Sequence, residues 1–124
     1  MPLVDTGRNF LAAAMIGEAG HAPYNNTNAH IAVGDSNAAF SAAQTDLQGS
    51  NIRKPMQLGY PVRVTNKNTF RSMFETSEAN FAWEEWGLFN APVGGTLFNR
   101  KIENLGTKTD AQTWLLTVDV EIQS

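Results

Sequence analysis

The C-terminal stretch constrains this chain most. From Trp114 onward, Trp114, Leu116, Val118, Val120 and Ile122 fall on one face of an extended backbone, and Thr117, Asp119, Glu121 and Gln123 fall on the other. A helix cannot reproduce a period of two over that length, because its faces recur every 3.6 residues or so. Burying the five apolar side chains contributes about 1.5–3 kcal/mol each before the entropy of ordering the chain is subtracted. The stretch is therefore expected to be a strand, and a central one.

The rest of the chain must supply that strand with neighbours. Tyr60-Pro61-Val62-Arg63-Val64 alternates apolar and polar residues, and Asn66-Lys67-Asn68 separates it from Phe70-Arg71-Ser72-Met73-Phe74, the pattern of a hairpin. Pro61 places the first arm at an edge or at a strand start. A second hairpin is predicted between Trp86–Phe89 and Thr96–Glu103 through Asn90-Ala91-Pro92-Val93-Gly94-Gly95. His30 to Val33 reads as a strand that Gly34-Asp35-Ser36-Asn37 ends, and 38–47 as a helical turn. Near the N-terminus, Phe10, Leu11, Ala14 and Met15 recur at helical spacing behind Asp5 or Thr6 as N-cap, with Gly17 as the stop and an irregular connection over 18–29. The expected fold is mainly β, an antiparallel β-sandwich with a short N-terminal helix.

At 124 residues the chain is sized for a single domain, 1–124. Its nine Lys and Arg residues are scattered and the net charge is −3, so no basic stripe exists to neutralise phosphates and no nucleic-acid partner is expected. With no cysteine, disulfides and thiolate metal sites are excluded. The apolar patch Phe10–Ile16 is interrupted by Arg8, Asn9, Gly17 and Glu18, so it makes neither an export signal nor a span of roughly 20 residues, and no membrane partner is expected.

The densest chemistry lies in Ser77–Asn90, where Phe81, Trp83, Trp86 and Phe89 are interleaved with Glu78, Glu84 and Glu85. Two carboxyls across a ring-lined groove are the equipment of sugar cleavage, so a small hydrolase or glycan-binding module using Glu84, Glu85 and the tryptophans is the reading from another functional class. The commoner use of such a segment is packing. Phe81, Trp83, Trp86, Phe89 and Trp114 are accordingly the candidate core or subunit-contact residues. Arg53-Lys54 and Arg100-Lys101 are too short to define an anion-binding face and are expected to pair with acidic groups; Arg71 and Arg100 are the candidates for bidentate contacts.

Gly34-Asp35-Ser36 behind an apolar strand resembles the nucleophile block of GDSL-type esterases, which need a downstream histidine as base. Here both histidines, His21 and His30, precede Ser36 and no Asp-x-x-His pair follows. Gly34, Asp35 and Ser36 therefore read as a structural turn with Asp35 capping local amides. His21, His30 and Asp35 match no metal-ligand spacing, and the Asp35–Asp46 stretch lacks the alternate oxygens and central glycine of a calcium loop. No catalytic, metal or cofactor residue is assigned.

A series of blocks in fixed order resembles the N-terminal attachment module of tailed-phage tail-collar and tail-fibre proteins. They are Asp5-Thr6-Gly7 with Leu11-Ala12-Ala13-Ala14, Ile31-Ala32-Val33-Gly34-Asp35, Gln44-Thr45-Asp46-Leu47, Arg53, Phe81 to Phe89, Gly95-Thr96-Leu97 and Gln112-Thr113. The resemblance implies a noncatalytic structural protein of a tailed-bacteriophage virion, assembled in the host cytoplasm, that docks a fibre to the tail or collar. It implies a homotrimer in contact with other virion proteins of tail, collar or capsid. Members of that family continue into a shaft and a receptor-binding tip, whereas this sequence ends at Ser124; the expected role is an adaptor, with a capsid decoration protein on the same sandwich as the alternative.

Overall fold

The computed structural model describes residues 2–123. One helix, α1 (Asp5–Met15), precedes seven strands: β1 (His30–Gly34), β2 (Asn51–Pro55), β3 (Val62–Val64), β4 (Lys67–Phe74), β5 (Ala82–Phe89), β6 (Lys101–Thr107) and β7 (Trp114–Glu121). They form two antiparallel sheets, one of four strands in the order β2-β1-β5-β6 and one of three in the order β3-β4-β7. The expected β-sandwich-like arrangement with its short N-terminal helix is what the chain adopts.

The main core lies between the sheets. Ile31 and Val33 of β1 and Trp83, Trp86 and Leu88 of β5 meet Phe70 and Phe74 of β4 and Val118 and Val120 of β7. The other face of the four-stranded sheet is also covered, by a second cluster in which Val4, Leu47 and Leu97 pack with Ala32 and Phe89. Both faces being covered, every residue of β1 is buried. This explains its unbroken apolar run, which is the signature of a two-sided strand. Helix α1 reaches the sheet through Gly7, where a Cβ would lie 1.9 Å from the carbonyl oxygen of Phe98; only glycine permits that approach.

Several expectations are corrected. The helix N-cap is Val4, which offers no side-chain bond; the N–H of Asp5 donates to the Ala42 carbonyl at 2.7 Å, and Thr6 Oγ1 donates to the Leu97 carbonyl at 2.7 Å. A tertiary contact thus does the work of a capping side chain. Helical spacing misassigned the buried face: Gly7 and Ala13 are buried, Phe10 and Leu11 half-buried, and Met15 exposed. No helix forms over 38–47; the segment holds a single turn in which the Gln44 N–H donates to the Ser41 carbonyl at 3.1 Å. The first hairpin turns at Thr65-Asn66, with Val64 opposite Lys67 and Thr65 at φ 56°.

β7 shows the expected alternation, with Val118 and Val120 buried and Trp114 and Leu116 half-buried, but it is an edge strand and not a central one. One buried face looks the same in sequence whether a strand has one neighbour or two. Trp83 and Trp86, an odd number of residues apart, would point to opposite faces of a regular strand. The β5–β6 ladder shifts register between Trp83 and Glu85, and both indoles lie in the same core.

The sandwich is stitched along one side only. Ser72 Oγ of β4 donates to the Lys54 carbonyl of β2 at 3.1 Å, and the Gln57 N–H donates to the Arg71 carbonyl at 2.9 Å. On the opposite side, among the described residues, no backbone bond joins β6 to β7. A groove of about 320 Å³ runs there over Trp86, Leu105, Leu116 and Val118.

Candidate functional site

The segment singled out for its rings and carboxylates is an interior. Trp83 is 1% exposed, Trp86 5% and Phe89 1%, while Phe81 and Trp114 are half-buried. Trp83 sits edge-on to Phe74 at 4.8 Å and to Trp114 at 5.0 Å between ring centroids, and its Nε1–H donates to the Ala79 carbonyl at 2.9 Å. These are packed aromatic contacts with the one polar atom satisfied. Trp83, Trp86 and Phe89 are therefore core residues and not subunit contacts. No sugar ring can stack on them without opening the domain.

Glu85, proposed with Glu84 for acid–base work, is fully buried, and it is tied down. Its Oε1 accepts from Arg100 Nε at 2.7 Å and from the Gln48 N–H at 2.9 Å; its Oε2 accepts from the N–H groups of Gly49 at 2.8 Å and Ser36 at 3.3 Å. Arg100, equally buried, spreads its remaining donors over the carbonyls of Ala38 (2.9 Å) and Ser36 (3.3 Å) and over Gln44 Oε1 (3.3 Å). Arg100 thus divides its fork among several acceptors in place of the bidentate pair expected of it. Together the two side chains anchor the irregular connection 35–50 to the sheet, supplying the partners that buried amides and carbonyls require.

Gly34, Asp35 and Ser36 belong to this knot. Gly34 pairs with Glu85 across β1 and β5, and a Cβ on it would lie 2.3 Å from Glu85 Oε2. A Cβ on Gly49 would lie 2.2 Å from Asp35 Oδ1. The local cap comes from Ser36, whose Oγ accepts the Ala38 N–H at 3.1 Å, and not from Asp35. His30 stands at the other end of β1, about 13 Å from Gly34 along the strand by its rise per residue, with Nδ1 against the Asn28 carbonyl at 2.8 Å. His21 lies beside Glu18 at 2.7 Å. Neither serves Ser36 as a base.

The other polar groups also fasten loops. Arg53 lies with Cζ 3.4 Å from the Phe89 ring centre and donates through NH1 to the carbonyls of Ala91 (2.9 Å) and Gly94 (2.8 Å), fixing the β5–β6 connection. Lys108, which nothing in the sequence marked, is 1% exposed; its Nζ donates to the Glu75 carbonyl at 2.6 Å and to Asn80 Oδ1 at 2.8 Å. Arg71 stacks on Tyr60 at 4.6 Å and donates to Thr117 Oγ1 at 3.0 Å, and among the described residues no carboxylate pairs with it. The sequence signal for the knot was a charge inside an apolar run, since Glu85 stands between Trp83 and Trp86-Gly87-Leu88-Phe89.

Lys54 meets Glu78 at 2.5 Å, as the expectation of acidic partners for Arg53-Lys54 required of one of the two. The Lys54 hydrogen bond first, and then the Glu75 N–H, hold the Glu78 carboxyl below its ordinary range. A depressed carboxyl adds stability above that range and loses it as pH falls through its folded value. Lys54→Met is therefore expected to leave the protein less stable at neutral pH than the parent, with the two converging as the pH falls through the lowered carboxyl value; denaturant titrations at a series of pH values measure the gap.

An apolar cavity of about 220 Å³ opens between α1 and the mouth of the sandwich, lined by Phe10, Tyr24, Phe70, Phe98 and Val120, with Asn68 as a polar lining residue. The Tyr24 hydroxyl donates to the Thr96 carbonyl at 2.6 Å, and burial pushes its phenol up. Among the described residues no three His, Cys, Asp or Glu side chains gather to hold a metal, and no helix is long and apolar enough to cross a membrane. No protein-family model, curated protein or solved structure matches this chain.

Proposed function

We propose that this chain is a noncatalytic structural protein of a tailed-bacteriophage virion, serving as a fibre-attachment or adaptor module at the tail or collar. One observation carries the reading: blocks distant in sequence, on which the resemblance rests, converge on the outer face of β1 and β5. Gly34 makes room for Glu85, Gln44 accepts from Arg100, Leu47 packs with Phe89 and Leu97, and Arg53 covers Phe89. Residues repeated together in a family have a physical reason to travel together when each holds another in place.

The same geometry weakens the reading of Glu84, Glu85 and the tryptophans as a hydrolytic or glycan site. A general acid or base must reach its substrate, and Glu85 has no exposed atom and is occupied by four donors. Antibody labelling of intact particles tests the proposal. Label at the neck, collar or tail is the expected result. Label over the head would make the protein a capsid decoration, and particles without the chain would overturn the virion reading. Turnover of a chromogenic ester or glycan by the purified protein would overturn the noncatalytic part.

A further inference from the structure

Four strands form the sheet edges, and three carry features that discourage a further strand. β2 bears Arg53 and Lys54 and ends on Pro55. β3 has only three residues. β6 breaks register, and the chain before it is already flanked by the N-terminal segment, with Leu3 bridged to Asn99 and the Arg100 N–H donating to the Pro2 carbonyl at 3.1 Å. β7 runs eight residues without proline, basic residue or bulge, in unbroken register with β4, and its two carboxylates, Asp119 and Glu121, are the charges it carries.

The direction of its backbone groups follows from one bond. The Ile122 N–H donates to the Asn66 carbonyl on the β4 side at 2.9 Å. Backbone groups alternate along an antiparallel strand, so the even-numbered residues of β7 serve β4. Those of Leu115, Thr117, Asp119 and Glu121 point to the free edge, and no described backbone group bonds them there.

We propose that a second copy of this chain docks on β7 by antiparallel strand addition about a twofold axis through Val118. That axis sets Thr117 opposite the partner's Asp119 and Leu115 opposite the partner's Glu121, so every outward backbone group of the strand finds a mate. On the inner face Val118 meets itself, Leu116 meets Val120, and Trp114 meets Ile122. The pairing covers Ile122, which is 50% exposed, the half-buried Trp114, and the half-buried Leu116 that lines the open groove.

Charge selects the register. Arg71 holds Thr117 through Nε at 3.0 Å, and the Asp119 carboxylate accepts from Thr69 Oγ1 at 2.7 Å. The axis at Val118 brings each Arg71–Thr117 pair beside the partner's Asp119, twice by symmetry. An axis at Val120 would set Asp119 against the partner's Glu121, a like-charge pair. An axis at Leu116 or Thr117 would leave Glu121 without a strand opposite it. A twofold contact of this kind closes on itself, so the product is a dimer and not the trimer that the family resemblance implies. The contact does not depend on the virion reading.

The chain has no cysteine, so a single introduced thiol reports the register. Oxidised Val118→Cys is expected to run as a disulfide-linked dimer, because residues on the axis face each other at cross-strand distance. Leu116→Cys, opposite Val120, is expected to remain unlinked. Sedimentation velocity of the parent protein should show a reversible dimer. Thr117→Pro removes an N–H that faces the free edge and none that serves β4; it should weaken the dimer at least about tenfold with an unchanged circular dichroism spectrum. A parent protein that stays monomeric to about 1 mM, one that sediments as a trimer, or a Val118→Cys variant that fails to cross-link would each overturn the proposal, and the cross-link decides it even if Thr117→Pro does not fold.

Discussion

Glu85→Leu is expected to destabilise the chain by about 3–5 kcal/mol, the cost of leaving one member of a buried ion pair without its partner. The substitution strands the Arg100 guanidinium, which is fully buried, and it removes the acceptor for the N–H groups of Ser36, Gln48 and Gly49. A domain of this size has about 5–15 kcal/mol in total, so the variant stands close to its unfolding transition at room temperature. Glu85→Gln keeps the shape and one acceptor oxygen and should lose less. Chemical denaturation read by tryptophan fluorescence measures both. A loss under about 1 kcal/mol for Glu85→Leu would mean that the connection 35–50 is held by something other than this carboxylate.

Trp83→Ala is expected to cost a similar amount, about 3–5 kcal/mol, through a different mechanism. The indole fills the space between Phe74 and Trp114, and its Nε1–H satisfies the Ala79 carbonyl. Alanine leaves a void the surrounding strands cannot fully close, and it removes one of the two donors to the Ala79 carbonyl, which keeps the Phe81 N–H at 3.0 Å. Phe81→Ala, at a half-buried ring, should cost clearly less. The contrast separates core from surface within one segment, and thermal unfolding of the two variants side by side reads it. Equal losses would place Phe81 in the core as firmly as Trp83.

The strands that proved legible were those whose own side chains announce their surroundings. β7 alternates because one face is buried, and β1 runs without a polar residue from Ile31 to Gly34 because both faces are. β2 was missed: Asn51-Ile52-Arg53-Lys54-Pro55 carries neither pattern, and it is a strand because β1 offers it an edge and because Arg53 and Lys54 have partners elsewhere. The irregular connection 35–50 was read as containing a helical turn, since the bonds that shape it come from Glu85 and Arg100, far along the chain. For the ring-rich segment, the choice between core, contact and cleft depends on burial, which residue identity alone does not set. Lys108 was invisible for the same reason: a lysine is ordinarily solvated, and only the carbonyls around it explain its burial.

The placement of β1 bears on how such a chain can change over time. Its five residues are covered on both faces, and β2 and β5 occupy both of its edges. No substitution there alters the exterior without first disturbing an interior. Tolerance to substitution is therefore expected at exposed positions of α1, β3, β4, β6 and β7 and in the connections, and least of all from His30 to Gly34 and at the residues facing them.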